Sequence, residues 1–472
     1  MKKMQTGLSD LDKLDKHAYS IICQWPKAIG FDPVYRGIDY SLIIRFYLWD
    51  KVGRALRIMH GIDYGETEVY KEEYLSFPQY YTPFIAKGSY KKPFLTWNKT
   101  IFIPYQAPHT KKLIKRLQAI KGVRVLSKQK GKAISKKYVI QSPSVSNNDP
   151  WPHTLFKSVL AALQSYSITL IEEDQKLLQQ QLKGVVKMTL LAEQELKKYK
   201  PNVVYVHSDN HPPFITYVLA AKKLGIPTFT YQHGLDCEHY ILDDSFADYV
   251  GVWGEHRKKR YLRDSQLTAK HYQVVGNVFL SIPEPKTTTP TEKTILYVSR
   301  PHKPIKCYAP SRNYLEGVEI LTAILEFMKQ HTAVRLIIKA HPLDLVDAYK
   351  KVILELGFEN RVTIATEPLH ALFPKASLVV TEDSTAGAEA MYYQLPCVHA
   401  HFANSEPVLP FVEYGCALPA RTVAELKDSL HHIVTDSELA EETNTKRDAF
   451  IRDFIPKGNI DDLVTFITNN LT

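Results

Sequence analysis

The sequence predicts an α/β protein made of two Rossmann-like units, each a doubly wound parallel sheet, facing one another across a cleft. Three observations carry this. From Thr100 onward, short apolar runs alternate with amphipathic stretches, the order that builds parallel sheets. The alternation pauses at the Pro/Thr-rich stretch Pro283 to Pro290 and restarts at Thr294, dividing the chain into residues 1–282 and 291–472. Two of the later runs end in small or polar residues. Val334–Ile338 leads into Lys339-Ala340-His341-Pro342, and Ala376–Val380 leads into Thr381-Glu382-Asp383-Ser384-Thr385-Ala386-Gly387. Ligands of an open parallel sheet bind at that carboxyl end.

The first hundred residues are rich in Tyr, Phe and Trp and carry no chemistry motif. They read as a packed core with some exposed rings, or as an aromatic acceptor-binding surface. Thr100–Tyr105 is a strand, Thr110–Ile120 a basic helix and Val123–Leu126 the next strand. Residues 141–152 form a loop by composition. A long helical stretch follows from Thr154 to Lys198, broken near Ser165–Ser167. Asn202–His207 is a strand. Helix Phe214–Leu224 stops at Gly225 with Pro227 just beyond. Thr228–Tyr231 and Tyr249–Trp253 are strands, Glu255–Leu262 a basic helix and Val274–Asn277 a short strand and turn.

In the second unit the expected strands begin at Thr294, Val334, Val362, Leu378 and Pro396. The expected helices are Tyr314–Gln330, Leu345–Leu356, Leu369–Phe373, Ala386–Tyr393, Val423–Val434 and Ser437–Phe454.

Composition narrows the function. The chain has 472 residues, 44% of them hydrophobic and 23% charged, ordinary values for a folded protein with two cores. The net charge of +10 suits an anionic substrate or an anionic membrane face. Its lysines are spread out and no Arg-rich tract occurs, so nucleic acid is not an expected partner. The five cysteines, Cys23, Cys237, Cys307, Cys397 and Cys416, show no CxxC pair, which fits a reducing compartment and no zinc-finger spacing. The amino terminus has no apolar signal segment, and no window has the roughly 20 apolar residues that span a bilayer. The expected location is cytoplasmic, at most peripheral to the inner face of the plasma membrane.

The motifs suggest a phosphate cradle. Ser384 and Thr385 carry hydroxyls at a strand-to-helix turn, where Gly387 and its small neighbours let backbone approach a ligand. Ser384 as a simple N-cap, with the small residues serving helix packing, fits equally. His341 can donate to a phosphate, with Pro342 fixing its turn and Lys339 adding charge. Arg300, with His302 and Lys303, follows the first strand of the second unit and can reach a diphosphate or an anionic acceptor, or form a solvated basic loop. In the first unit, Gln232-His233-Gly234 ends a strand at the cleft. His233, Asp209, Asp236 and Glu238 are each able to act as an acid or base, and the sequence does not choose among them. There is no P-loop, GxGxxG, HExxH or GxSxG, and no DxD ends a strand, so no metal is expected.

Tyr231-Gln232-His233-Gly234, Lys339-Ala340-His341-Pro342 and Thr381-Glu382-Asp383-Ser384-Thr385 resemble motifs of bacterial surface-polysaccharide GT-B transferases. The nearest patterns are the capsule-type Kdo transferases, the polysialyltransferases and the CDP-glycerol glycerophosphotransferases. The resemblance spans about residues 200–420. It implies that His341, Ser384 and Thr385 bind the phosphate and nucleotide of a cytidine-activated donor, with Gln232 and His233 at the cleft. Lys339, Pro342, Glu382, Asp383, Gly387 and Arg300 complete the expected donor side. The acidic-acidic-Gly motif that supplies the polysialyltransferase base is not matched, since Asp243-Asp244 is followed by Ser245.

The resulting expectation is an inverting, metal-independent GT-B glycosyltransferase. It would use a nucleotide-sugar as substrate and no cofactor, with a capsule, lipopolysaccharide or other surface glycan, or its lipid-linked primer, as acceptor. The alternatives are a CDP-polyol phosphotransferase, a nucleotide-sugar 2-epimerase and a non-catalytic scaffold subunit.

Overall fold

A computed structural model describes residues 8–61, 99–105, 110–127, 149–232, 234–235, 245–264, 268–280, 293–300, 316–342, 344, 346–402 and 407–471. Before the first large sheet come helix α1 (Leu8–Ala28), the two-residue strands β1 (Val34–Tyr35) and β2 (Ile38–Asp39), and helix α2 (Tyr40–Met59). Asp39 caps α2, its carboxylate accepting the backbone N–H of Ser41. The aromatic residues of this region divide between a packed core and an accessible surface: Trp25, Tyr40 and Tyr47 are buried, whereas Phe46 and Trp49 are half-buried.

The first large sheet is formed by β3 (Lys99–Ile103), β4 (Val123–Ser127), β5 (Val203–Tyr205), β6 (Thr228–Tyr231), β7 (Tyr249–Val252) and β8 (Tyr272–Val274), in the order β4-β3-β5-β6-β7-β8. All its pairings are parallel. Between the strands run α3 (Thr110–Gln118), α4 (Trp151–Ser165), α5 (Glu172–Tyr199), α6 (Phe214–Lys223) and α7 (Glu255–Asp264). Strand alternation feeds two cores. Phe102, Leu126 and Val204 point into one with α1, α2, α4, α5 and α6, while Ile101, Val125 and Val203 point into the other.

The second sheet contains β9 (Thr294–Val298), β10 (Arg335–Lys339), β11 (Val362–Ile364), β12 (Leu378–Thr381), β13 (Cys397–Ala400) and β14 (Leu418–Ala420). Its order is β11-β10-β9-β12-β13-β14, again all parallel. The helices are α8 (Glu316–Gln330), α9 (Val346–Glu355), α10 (Thr385–Ala390), α11 (Val423–Thr435), α12 (Ser437–Phe454) and α13 (Ile460–Asn469).

Several expectations shift. Leu369–Phe373 is two 3₁₀ turns, Leu369–Ala371 and Phe373–Lys375, because Pro374 cannot donate to an α-helical ladder. The strand expected at Val274–Asn277 lies two residues earlier, at Tyr272–Val274. The stretch 283–290 and most of the loop 141–152 lie outside the described residues. No helix among the described residues is long and apolar enough to cross a membrane.

After α12 the chain returns to the first sheet. Arg116 on α3 donates to Asp461 at 2.5–2.8 Å, and Lys99 Nζ donates to the carbonyl of Leu471. Gly276 and Gly458 pass backbone to backbone, with an isolated bridge between Asn277 and Lys457. Gly276 takes φ +70°, and a Cβ on either glycine would strike the other strand of this crossing.

Candidate functional site

Strand order places the site. From β9 the chain moves to β10 and β11 on one side, then crosses to β12 on the other. The switch point is therefore between β9 and β12, where an open α/β sheet leaves a crevice for ligand. Ser299 and Arg300 follow β9 there; Glu382, Asp383 and Ser384 follow β12. In the first sheet the switch falls between β3 and β5, and Asp209 lies four residues beyond β5.

The expected donor residues separate into two layers. Lys339, His341, Ser384 and Thr385 are half-buried and Pro342 is exposed, so these border the crevice. The N–H of His341 donates to Ser299 Oγ at 3.0 Å, and the Ser299 hydroxyl in turn donates to Asp344. Tyr349 donates to the same Asp344 oxygen at 2.8 Å, so the His-Pro turn rests on a buried carboxylate. Ser384 Oγ accepts the N–H of Ala386 and so caps α10. Thr385 Oγ1 faces the first unit and accepts the N–H of Leu235 at 3.1 Å.

Glu382, Asp383, Arg300 and Gly387 form the inner layer, all buried. Glu382 accepts from the Tyr297 hydroxyl at 3.0 Å and from the N–H of Arg300 at 3.2 Å. Burial and this carboxylate raise the Tyr297 hydroxyl well above its ordinary pKa. The Arg300 guanidinium turns inward, its Nη1 3.6 Å from Asp383 Oδ2. The solvated-loop reading of Arg300 therefore does not hold. Gly387 lies against Thr381, where a Cβ would overlap the threonine side chain, so its small size serves the packing of α10 on β12.

On the facing side, Gln232 clamps its own turn. Its Oε1 accepts the N–H of Trp253 and its Nε2 donates to the Gly234 carbonyl, both at 2.8 Å. Gly234 sits across from Thr385. Asp209 is 6% exposed, and its Oδ2 accepts from Phe246 N at 2.6 Å, Ala247 N at 2.7 Å and Ser245 Oγ at 3.0 Å. Burial nonetheless outweighs these donors and raises its pKa. His233, Asp236, Glu238, Asp243, Asp244, His302 and Lys303 lie outside the described residues.

Three residues escaped the sequence reading. Glu389 is half-buried on α10, five residues after Ser384, with its pKa raised by desolvation. Its signal was its place inside the small-residue run. His399 and His401 converge on Asp383, with ring nitrogens 3.1 and 3.3 Å from the carboxylate. Their spacing of two, on one face of a strand, was the available signal.

Comparison with protein-family models and with characterised proteins found no match. Solved structures match the fold. A Staphylococcus aureus MnaA–UDP co-structure aligns with TM-score 0.51 and 14% identity, over 79% of this chain and 98% of that chain. A UDP-N-acetylglucosamine 2-epimerase aligns at 0.50 and 14%, over 80% and 96%. A Listeria monocytogenes protein described as a UDP-N-acetylglucosamine 2-epimerase aligns at 0.50 and 12%, over 79% and 96%. At these identities the likeness is one of fold: the chain has the GT-B architecture of two Rossmann-like domains.

Proposed function

We propose that the protein is a GT-B glycosyltransferase that moves a sugar from a cytidine-activated donor to a surface glycan or its lipid-linked precursor at the cytoplasmic membrane face. The observation that carries the reading is the contact between the two halves at their carboxyl strand ends, Leu235 N–H to Thr385 Oγ1. It brings the Ser384–Thr385 turn together with the Gln232–Gly234 turn. A donor phosphate beside His341, Lys339, Ser384 and Thr385 would have its leaving charge stabilised by fixed donors. Asp209, with its raised pKa, is the described carboxylate best suited to take a proton from an acceptor hydroxyl. His233, Asp236 and Glu238 stay in contention for that role.

A second reading is favoured by the names of the matched structures: a nucleotide-sugar 2-epimerase. Against it stands the surplus of chain. MnaA is matched over 98% of its length, yet that uses only 79% of this chain. An epimerase holds one substrate, whereas a transferase must also hold an acceptor.

The test is a thermal-shift panel with CMP, CDP, UDP, GDP and ADP on the wild type and His341→Ala. It is followed by incubation with the matching nucleotide-sugar with and without acceptor glycan. A nucleotide at a hundred times its Kd adds about 2.7 kcal/mol. Stabilisation by CMP or CDP, weakened in the variant, supports the cytidine donor. A UDP response with acceptor-free conversion of UDP-N-acetylglucosamine establishes the epimerase instead. Silence toward all five overturns both readings.

A further inference from the structure

Among the described residues, one group of side chains is arranged as metal ligands are: Asp383, His399 and His401. Asp383 follows β12, His399 lies within β13 and His401 just after it, so neighbouring parallel strands bring them together. The carboxylate is fully covered, and the imidazoles are 1% and 2% exposed.

The geometry argues for a shared ion rather than for simple hydrogen bonding. His399 Nε2 lies 3.1 Å from Asp383 Oδ1, yet it has no hydrogen-bond partner. Its axis is not aimed at that oxygen, although the distance alone would allow a bond. His401 Nδ1 lies 3.3 Å from Oδ2, the other oxygen of the same carboxylate. Ligands held at 2.0–2.2 Å around a tetrahedral ion stand about 3.3 Å from one another, with lone pairs converging on a point between them. A buried polar atom left without a partner is costly, and an ion at that point would satisfy His399.

The surroundings suit the role. Asp383 Oδ1 accepts the N–H of Leu409 at 3.0 Å, and Arg300 stands 3.6 Å from Oδ2, so the carboxylate is oriented from outside the ligand set. The His399 ring is fixed edge-on against Phe411. Arg300 opposes a cation, but two buried carboxylates, Asp383 beside its guanidinium and Glu382 on its backbone N–H, stand against that one charge.

We propose that Asp383, His399 and His401 form a site for a divalent transition ion of the zinc class, with the fourth position left open to another ligand. Two imidazoles and one carboxylate are the donor set such ions take. The ion would tie β12 to β13 directly behind the Ser384–Thr385 turn. This inference does not depend on the proposed transferase activity.

The experiment uses the full chain, freed of any histidine tag. It is loaded with Zn²⁺, passed over a chelating resin and assayed for metal by mass spectrometry, with Co²⁺ loading in parallel. The expected result is stoichiometric zinc, visible ligand-field absorption from the Co²⁺ form, and a raised melting temperature. Asp383→Asn and His399→Gln, which keep side-chain size and polarity, should each weaken retention at least tenfold. A folded wild type that holds no more Zn²⁺ or Co²⁺ than His399→Gln overturns the proposal. That measurement needs only the wild type to fold, and it is unaffected if no nucleotide-sugar chemistry is found.

Discussion

The hydroxyl of Thr385 accepts the backbone N–H of Leu235 at 3.1 Å, although the two residues are 150 positions apart. One belongs to the turn after β6 and the other to the first turn of α10. The contact therefore fixes the spacing between the two carboxyl strand ends.

Replacing Thr385 with Val removes the acceptor and keeps the shape. The expected cost is about 1 kcal/mol of stability, the usual net value of such a bond. A larger effect is expected on donor KM than on melting temperature. An unchanged KM in a variant of normal stability would count against Thr385 as a cleft residue.

Gly387→Ala should destabilise by about 1–3 kcal/mol, because the new methyl overlaps Thr381 in a close-packed contact. The double variant with Thr381→Ala should recover part of the loss, since it removes both Oγ1 and Cγ2. Denaturant unfolding of the four proteins in the cycle measures the coupling.

Asp209 separates a chemical role from a structural one. Asp209→Asn keeps an oxygen for the N–H groups of Phe246 and Ala247. If Asp209 is the base, turnover falls about 10²–10⁴-fold with nucleotide binding unchanged. The folded carboxyl holds its proton more tightly than the unfolded chain does, since burial raises its pKa. Its contribution to stability is thus fully present below about pH 4 and is lost as pH rises through the folded value. The Asn variant should lack that slope in pH-dependent unfolding.

Lys51 makes the opposite case. It is 1% exposed, its Nζ donates to the Tyr47 carbonyl at 3.1 Å, and burial lowers its pKa to about 8. The folded state therefore binds fewer protons than the unfolded one between about pH 8 and the ordinary lysine value of 10.5. Wild-type stability should rise across that window. Each tenfold loss of proton affinity on folding costs about 1.4 kcal/mol at neutral pH, so Lys51→Met should raise stability at pH 7 by a few kcal/mol. The same variant should abolish the rise, which denaturant unfolding at several pH values measures.

The sheets were legible because each strand is a short apolar run bounded by turn residues, and Thr228–Tyr231 and Leu378–Val380 needed nothing else. β14 was missed because Leu418–Ala420 contains a proline and only three residues; its strand character comes from pairing with Val398–Ala400 at the sheet edge. α2 was hidden because apolar residues occur all round it, as in a helix buried on most sides. At the site, the order of motifs along the chain put His341 and Ser384 beside one crevice. The inward turn of Arg300 and the burial of Glu382 and Asp383 depend on partners such as Tyr297 and His399, from 16 to 85 residues away. No local pattern encodes such partners.

The return of α13 to the first sheet bears on the order of synthesis. Leu463 and Ile467 share a core with Leu113, Ile114 and Val203, and Arg116 pairs with Asp461. That face of the first sheet, with only α3 of these two helices made early, therefore stays partly uncovered while the ribosome makes the entire second sheet. During that interval the apolar surface that Leu463 and Ile467 later cover is open to water, and such surface is prone to association until residues 460–469 emerge.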